Sequence, residues 1–166
     1  MAIRAATPAD LDTIIALIHA LAEYEREPDA VVLDRETLRV HLFGPHPAAE
    51  VLIAETPDGA VAGFALFFQT FSTWLGRPGT WLEDLFVRPE FRGQGYGKAL
   101  LSAVARTALE RGHGRFEWSV LDWNEPAIAF YRALGAVPMD EWTTYRVTGQ
   151  ALADLARLSA ADRSED

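Results

Sequence analysis

The segment WLEDLFVRPEFRGQGYGK, residues 81–98, decides the fold. Residues 81–87 are apolar and aromatic apart from Glu83 and Asp84, and they predict a buried strand. A basic turn that contains a proline follows at 88–92. Glycine then occupies every second position, at Gly93, Gly95 and Gly97, and apolar residues at helical spacing come next. A strand, a glycine loop and a helix in this order can present backbone N–H groups and a positive helix end to a phosphate.

Two common phosphate-binding loops do not match this segment. The dinucleotide fingerprint fails because Lys98 stands in place of its third glycine, and the G-x-x-x-x-G-K-[ST] loop fails at Arg92 and at Ala99. The pattern [Q/R]-x-x-G-x-[G/A] does fit, at Arg92, Gly95 and Gly97. It resembles the acetyl-CoA loop of the GNAT superfamily of N-acetyltransferases. The alternative is a glycine-rich turn without a ligand.

Length and composition predict an ordinary globular protein. At 166 residues the chain is expected to form a single domain, residues 1–166. It has no long apolar run and no signal segment, which predicts a cytoplasmic protein without membrane contact. Cysteine is absent, so disulfides, thiolate metal sites and a cysteine acyl-enzyme are excluded. His41 and His46 are separated by a proline and do not predict a metal site.

The charge balance narrows the class of partner. The net charge is −9, from 24 acidic and 15 basic residues, and Lys98 is the only lysine. An acidic chain of this kind argues against nucleic acid and favours a cationic small molecule.

The rest of the chain predicts strands alternating with helices. Strands are expected at 3–5, 50–56, 60–71, 115–121 and 139–147, with helices after Thr7, at 34–43, after the glycine loop, after Asn124 and at 151–158. This order predicts an α/β (α+β) fold, a central mixed sheet flanked by helices, as in the GNAT acyl-CoA N-acyltransferase fold. The core is expected over about 3–155, with a polar tail at 159–166.

Four motifs together refine the resemblance. LAEYE at 21–25, WLED, RGQGYG and WNEPAIAFYRALGA resemble the diamine (spermidine/spermine) and thialysine acetyltransferase branch of the superfamily. The resemblance extends over residues 3–155. It implies acetyl-CoA as co-substrate, a small amine as acceptor and a homodimer.

The resemblance also implies roles for individual residues. Acetyl-CoA contacts fall on Leu85, Phe86, Val87, Arg92, Gly93, Gln94, Gly95, Tyr96, Gly97, Lys98, Asn124, Pro126, Tyr131 and Arg132. The general base, acting through water, falls on Glu83, and the general acid on Tyr131. Substrate ammonium contacts fall on Tyr24, Glu25, Glu83 and Asp84, with residues 117–119 as further candidates.

The chemistry of amine acetylation explains why these residue types are needed. An alkylamine has a pKa of about 10 and arrives protonated, so a carboxylate must accept its proton. We expect burial on an apolar strand to raise the pKa of Glu83 toward a useful range. The structural alternative is that Glu83 and Asp84 alternate, one inward and one to solvent. A tyrosine hydroxyl can protonate the leaving thiolate, and without a cysteine the transfer is expected to be direct.

Other functions stay open at this point. The turn at 71–74 has no acidic residue, whereas polyamine enzymes of this branch carry one there, so a shorter amine or a thialysine-like amino acid is as plausible as a polyamine. The alternatives are a protein or peptide N-acetyltransferase, and a non-catalytic acyl-CoA sensor that would not need Glu83 or Tyr131.

Overall fold

The computed structural model describes residues 1–158. The strands are β1 (Ala2–Ala5), β2 (Glu50–Glu55), β3 (Val61–Ser72), β4 (Arg77–Val87) and β5 (Phe116–Trp118), and the helices are α1 (Leu11–Tyr24), α2 (Arg35–Phe43), α3 (Tyr96–Glu110), α4 (Glu125–Ala133) and α5 (Gly149–Arg157). The chain divides into two compact units, Met1–Ser119 and a second one that begins at Val120. The predicted polar tail at 159–166 lies outside the described residues.

The first unit contains a five-stranded sheet whose strand order follows the chain, β1-β2-β3-β4-β5. The first four strands pair antiparallel, whereas β5 pairs parallel to β4. The parallel pair is joined by the glycine loop and α3, the helical crossover that a parallel connection requires. The mixed sheet with flanking helices confirms the predicted fold class.

Helices pack on both faces of this sheet. One face is covered by α1, whose Ile14 and Leu17 are fully buried against Phe64 and Phe86 in one apolar cluster. The neighbouring residue Val87 points the other way, where Gly97 of α3 lies against it. The two faces are called here the α1 face and the α3 face.

The start of α1 is tied to the edge of the sheet. The Thr7 backbone N–H donates to the Asp10 carboxylate at 2.7 Å, and Arg4 of β1 donates to both Asp10 and Glu55. The Arg4 guanidinium holds the pKa of Asp10 well below its usual range. The predicted helix start after Thr7 is confirmed as a single 3-10 turn, Pro8–Asp10, that leads directly into α1.

The backbone is strained at Arg26, just after the end of α1. Arg26 has φ of 67°, and within the described part of the chain every other residue with positive φ is glycine. The Glu27 N–H donates back to the Ala22 carbonyl at 2.9 Å, which closes the helix. A left-handed arginine is unfavourable, and it directly follows Tyr24 and Glu25, two predicted substrate residues.

Three predicted strand boundaries are wrong. β4 begins at Arg77 rather than at residue 81, because the hairpin from β3 closes in a short turn and its strands pair up to Ser72 and Arg77. β5 is limited to Phe116–Trp118, the three residues that pair with β4.

The second unit contains α4 and α5, and the strand predicted at 139–147 does not form. A strand needs a neighbour for its backbone groups. Among the described residues this segment has no ladder partner, and its Tyr145 is 90% exposed. Alternation of side chains alone was not enough to specify it. Between residues 1 and 158, no helix is long and apolar enough to cross a membrane.

Candidate active site

A β-bulge in β4 determines the arrangement of the acidic residues. Leu66 of β3 pairs with Asp84, but the next residue, Phe67, pairs with Leu82, so Glu83 is an extra residue without a partner in this ladder. The bulge shifts the alternation of side chains along β4 by one position. Trp81 pairs with Phe68, and Phe68 and Leu66 lie on the same face because they are two residues apart.

Trp81 and Asp84 therefore share one face of the sheet although they are three residues apart. It is the α1 face, because Leu66 belongs to the apolar cluster with α1. Glu83 is directed to the same region, since its carboxylate accepts a hydrogen bond from Trp81 Nε1 at 2.8 Å. The structural alternative, one carboxylate inward and the other to solvent, matches their burial, because Asp84 is half-buried and Glu83 is exposed, but the strand reaches it through a bulge rather than through regular alternation.

The two carboxylates differ in burial. Glu83 is exposed, so the expected burial of its carboxylate on an apolar strand is wrong. Asp84 is half-buried, and burial, followed by the negative charges of Glu83 and Glu25, raises its pKa to about 6. Burial also raises the pKa of Glu25, at the end of α1. The charges of Glu83 and Glu25 thus both act on the Asp84 carboxyl in this region.

The outer edge of β4 is open beyond the bulge. In the described part of the chain, the ladder between β4 and β5 ends where Leu82 pairs with Trp118, whereas β4 continues for five residues to Val87. Backbone groups on this edge can pair with an extended ligand that contains amides, in the way a peptide adds to a sheet. Of the predicted contact residues here, Leu85 and Val87 are half-buried and Phe86 is buried in the core.

The glycine loop leads directly into α3. Gly93 and Gly95 have φ of 75° and 86°, and Gly95 is the residue before the first turn of the helix. A Cβ at Gly93 would meet nothing within 4 Å, so the loop surface is open. The first intrahelical bond is donated by Ala99, so the N–H groups of the preceding helical residues remain for an anion.

Individual loop residues have different roles. Tyr96 is only 4% exposed and packs edge-to-face on Phe91, so only its backbone can reach a ligand. The Gln94 side chain donates to the Glu90 carbonyl at 3.2 Å, while Lys98 is exposed on the first turn of α3. The loop fits a pyrophosphate through backbone N–H groups with one cation nearby.

Arg92 connects this loop to the end of α1. Its Nε donates to the Val87 carbonyl at 3.0 Å. Its guanidinium carbon lies 4.6 Å from the centroid of the Tyr24 ring and 5.6 Å from that of Phe86. In this arrangement Arg92 fixes the loop against an aromatic residue of α1, a contact that the sequence did not predict.

The remaining predicted residues lie on or next to α4, in the second unit. Asn124 is buried and caps this helix, since its side chain accepts from the Ala127 N–H at 3.4 Å, and Pro126 lies in the first turn. Tyr131 is half-buried beside Phe130, with ring centroids 5.3 Å apart, and Arg132 is exposed. Across residues 1–158, no group of three His, Cys, Asp or Glu side chains could hold a metal ion.

Comparison with known proteins gives one family. The model of the acetyltransferase (GNAT) family matches residues 14–136. A thialysine N-epsilon-acetyltransferase of Sus scrofa is 40% identical over 164 residues, which cover 93% of this chain and 96% of that protein. An L-ornithine N5-acetyltransferase of Arabidopsis thaliana is 34% identical, with 95% of this chain and 88% of that protein covered.

Solved structures agree with the fold. An integron cassette protein from the mobile metagenome of V. cholerae has a TM-score of 0.76 at 27% identity, covering 95% of this chain and 98% of that one. A ribosomal-protein-alanine N-acetyltransferase from Brucella melitensis biovar Abortus 2308 has a TM-score of 0.70 at 22% identity, covering 90% of this chain and all of that one. At that level of identity the second similarity concerns the fold alone.

Proposed function

The chain belongs to the acetyltransferase (GNAT) family and is an N-acetyltransferase, and we propose that it acetylates the terminal primary amine of a small cationic substrate. Acetyl-CoA is the co-substrate implied by the family, and it supplies an acetyl group activated as a thioester. The relatives that support a small acceptor are enzymes named for thialysine and for L-ornithine, which are both amino acids with a terminal amine.

The observation that carries this proposal is the bulge at Glu83. It directs two adjacent carboxylates to the α1 face, at the point where the outer edge of β4 becomes open. An ammonium group is attracted to Glu83, Asp84 and Glu25 together. The same carboxylates lie next to the backbone that would hold the co-substrate. A sensor that only binds acyl-CoA would not need them.

Each group of residues has a proposed role in binding or in proton transfer. The N–H groups of Gly93 to Lys98 and the start of α3 would bind the pyrophosphate, and the backbone of Leu85 to Val87 would bind the extended arm. Glu83 would accept the amine proton through water, with Asp84 as a second candidate because its pKa of about 6 lies closer to the working range. Tyr131 on α4 would donate a proton to the leaving sulfur, and Asn124, Pro126 and Arg132 would contribute to co-substrate binding.

The proposal is tested by acetyl transfer to a panel of amines: diamines, polyamines, thialysine, lysine, ornithine and short peptides. Turnover of small amines and none of peptides supports it. Turnover of peptides alone favours a protein or peptide acetyltransferase. Acetyl-CoA binding without turnover of any amine favours the sensor.

Two further proposals concern assembly and location. The family branch implies a homodimer, and Trp142 and Tyr145 are 66% and 90% exposed, which suits an interface. A monomer at micromolar concentration in sedimentation analysis would contradict this. A cytoplasmic location stays a prediction.

A further inference from the structure

An ion pair at β5 joins Arg115, which has no role assigned so far, to Glu117, one of the residues at 117–119 named above as further candidates for substrate contact. Arg115 Nε lies 2.6 Å from Glu117 Oε2, and Arg115 Nη1 donates to the Ser72 hydroxyl at 3.2 Å. These contacts involve Nε and one terminal nitrogen, while a guanidinium has five N–H donors. The Arg115 and Glu117 side chains are 42% and 33% exposed, so both are accessible. The pair can thus bind a cationic and an anionic group side by side.

This pair lies on the α1 face, the same face as the carboxylates. Glu117 pairs with Trp81, and register partners direct their side chains to the same face. The Arg115 stem crosses the bare backbone of Gly79, where a Cβ would come within 3.1 Å of Arg115 Cγ. Gly79 and Trp81 are two residues apart on β4 before the bulge and share a face. Trp81 in turn donates to Glu83, which connects the pair to the acidic region.

The distance between the two regions suits a short substrate. Trp81, opposite Glu117, is three residues from Asp84, which at about 3.3 Å per residue is roughly 7–10 Å, the lower value allowing for the bulge. Five or six single bonds of about 1.5 Å each, in extended form, span about 6–8 Å. An amine attached to a chain of that length can therefore reach Glu83 and Asp84 while its other end lies beside Glu117, whose carboxylate holds the Arg115 guanidinium.

Charge decides which molecule fits. The second ammonium group of a diamine could pair with Glu117 but would leave the neighbouring Arg115 guanidinium without an anion, and the turn at 73–76 offers no acidic residue to hold it instead. The head group of an α-amino acid carries a carboxylate for Arg115 and an ammonium group for Glu117. We infer that the Arg115–Glu117 pair is the receptor for this head group, so the substrate is an α-amino acid with a terminal amine. This inference rests on the proposed function and names its substrate class.

The test compares each amino acid with the diamine that lacks only its carboxylate. The pairs are L-lysine with 1,5-diaminopentane and L-ornithine with 1,4-diaminobutane, and the readout is the ratio of kcat/KM within each pair. We expect the wild type to prefer the amino acid, and Arg115→Gln to lower the ratio about 10- to 100-fold, because a charge-assisted contact is lost. The change should appear in the KM of the amino acid. Arg115→Lys should recover part of the ratio, since it keeps the charge and loses the planar fork.

Arg111 provides a matched control. It pairs with Glu50 and has the same side-chain exposure of 42%, but Glu50 pairs with Phe67 and therefore lies on the α3 face of the sheet. Arg111→Gln should leave the ratio unchanged. Equal ratios in the wild type and Arg115→Gln, or a wild type that prefers the diamines, would overturn the inference while the acetyltransferase function stands. If no amine is acetylated although acetyl-CoA binds, the proposed function itself fails.

Discussion

The guanidinium of Arg92 stacks on the ring of Tyr24, with its central carbon 4.6 Å from the ring centroid. One residue begins the glycine loop, and the other ends α1 next to Glu25. The contact therefore joins the part of the protein expected to bind phosphate to the part expected to bind the amine. The Arg92–Tyr24 contact is therefore a direct route by which phosphate binding and amine binding can influence each other.

This contact predicts an effect of Tyr24 on acetyl-CoA affinity, although Tyr24 is outside the loop. Tyr24→Leu removes the ring, and a cation–π contact is worth about 0.5–2 kcal/mol, so we expect the Kd to rise by roughly 2- to 30-fold. Tyr24→Phe keeps the ring and should bind nearly as the wild type does. Calorimetry with acetyl-CoA measures both. Equal affinity of the leucine and phenylalanine variants would contradict a role of the stack.

Gly95→Ala should separate loop function from backbone strain. Alanine at φ of 86° costs about 1–2 kcal/mol, and its Cβ would lie 3.9 Å from Met1 Cε, an ordinary contact that adds no clash. Gly112 follows α3 with φ of 70° and has nothing within 4 Å of its Cβ position, so it is the control for backbone strain alone. Both alanine variants should lose similar thermal stability, but only Gly95→Ala should lose acetyl-CoA affinity. Similar affinities in the two variants would place the ligand elsewhere.

The raised pKa of Asp84 predicts a pH-dependent loss of stability. The folded protein holds this proton up to about pH 6, whereas the unfolded chain releases it near 3.8. Stability from this group is therefore present below pH 3.8 and is lost as the pH rises to about 6. At pH 8, Asp84→Asn should be more stable than the wild type by at most about 3 kcal/mol, from a shift of about two pH units. The difference should vanish near pH 4, and denaturant unfolding at both values measures it.

The Asp84 carboxylate also predicts how kcat/KM falls on the acidic side of the pH profile. If Asp84 accepts or stabilises the amine proton, kcat/KM falls as the pH drops below about 6, because the protonated form cannot do so. Glu83→Gln should retain this limb, and Asp84→Asn should remove it along with much of the activity. The rival assignment, Glu83 as the base, predicts the opposite pattern. Measured pH profiles of the two variants decide between them.

Tyr131→Phe tests the proposed proton donor. The ring is kept, so the melting temperature should change little, and the acetyl-CoA Kd should rise only slightly because one hydrogen bond is worth about 1 kcal/mol. Turnover should fall by about 10²-fold or more, the usual contribution of a placed acid. Equal turnover of the variant and the wild type at neutral pH would make Tyr131 a packing residue.

Local signals were sufficient for much of the fold. The cap at Thr7, the cap at Asn124 and the glycines at the ends of α2 and α4 predicted their helices, because each rests on neighbours within four residues. The glycine loop was also readable, although α3 begins at Tyr96 rather than after Lys98. The family itself followed from the motifs.

The carboxylates show what the sequence could not supply. The bulge at Glu83 depends on how β3 and β4 pair, and no residue of WLED indicates it. The apolar character of the strand therefore predicted the wrong exposure for Glu83, and no sequence signal predicted its hydrogen bond with Trp81. The receptor proposed at Arg115 was missed for a related reason, since it depends on the register of β5. The segment at 139–147 is the opposite case, because its sequence has a strand pattern but the described residues provide no partner strand for it.

The extra residue in β4 also separates two functions along one strand. From Asp84 to Val87 the even-numbered side chains lie on the α1 face, whereas from Arg77 to Leu82 the odd-numbered side chains do. Changes at Trp81 or in the facing part of β5 can reshape acceptor choice without altering the direction of Leu85 or Val87. A lineage built on this strand could therefore acquire new acceptors by mutation on one side while retaining the same acyl donor. Deleting Glu83 would restore regular alternation, which still places Trp81 and Asp84 on one face, but it would remove the carboxylate that Trp81 contacts.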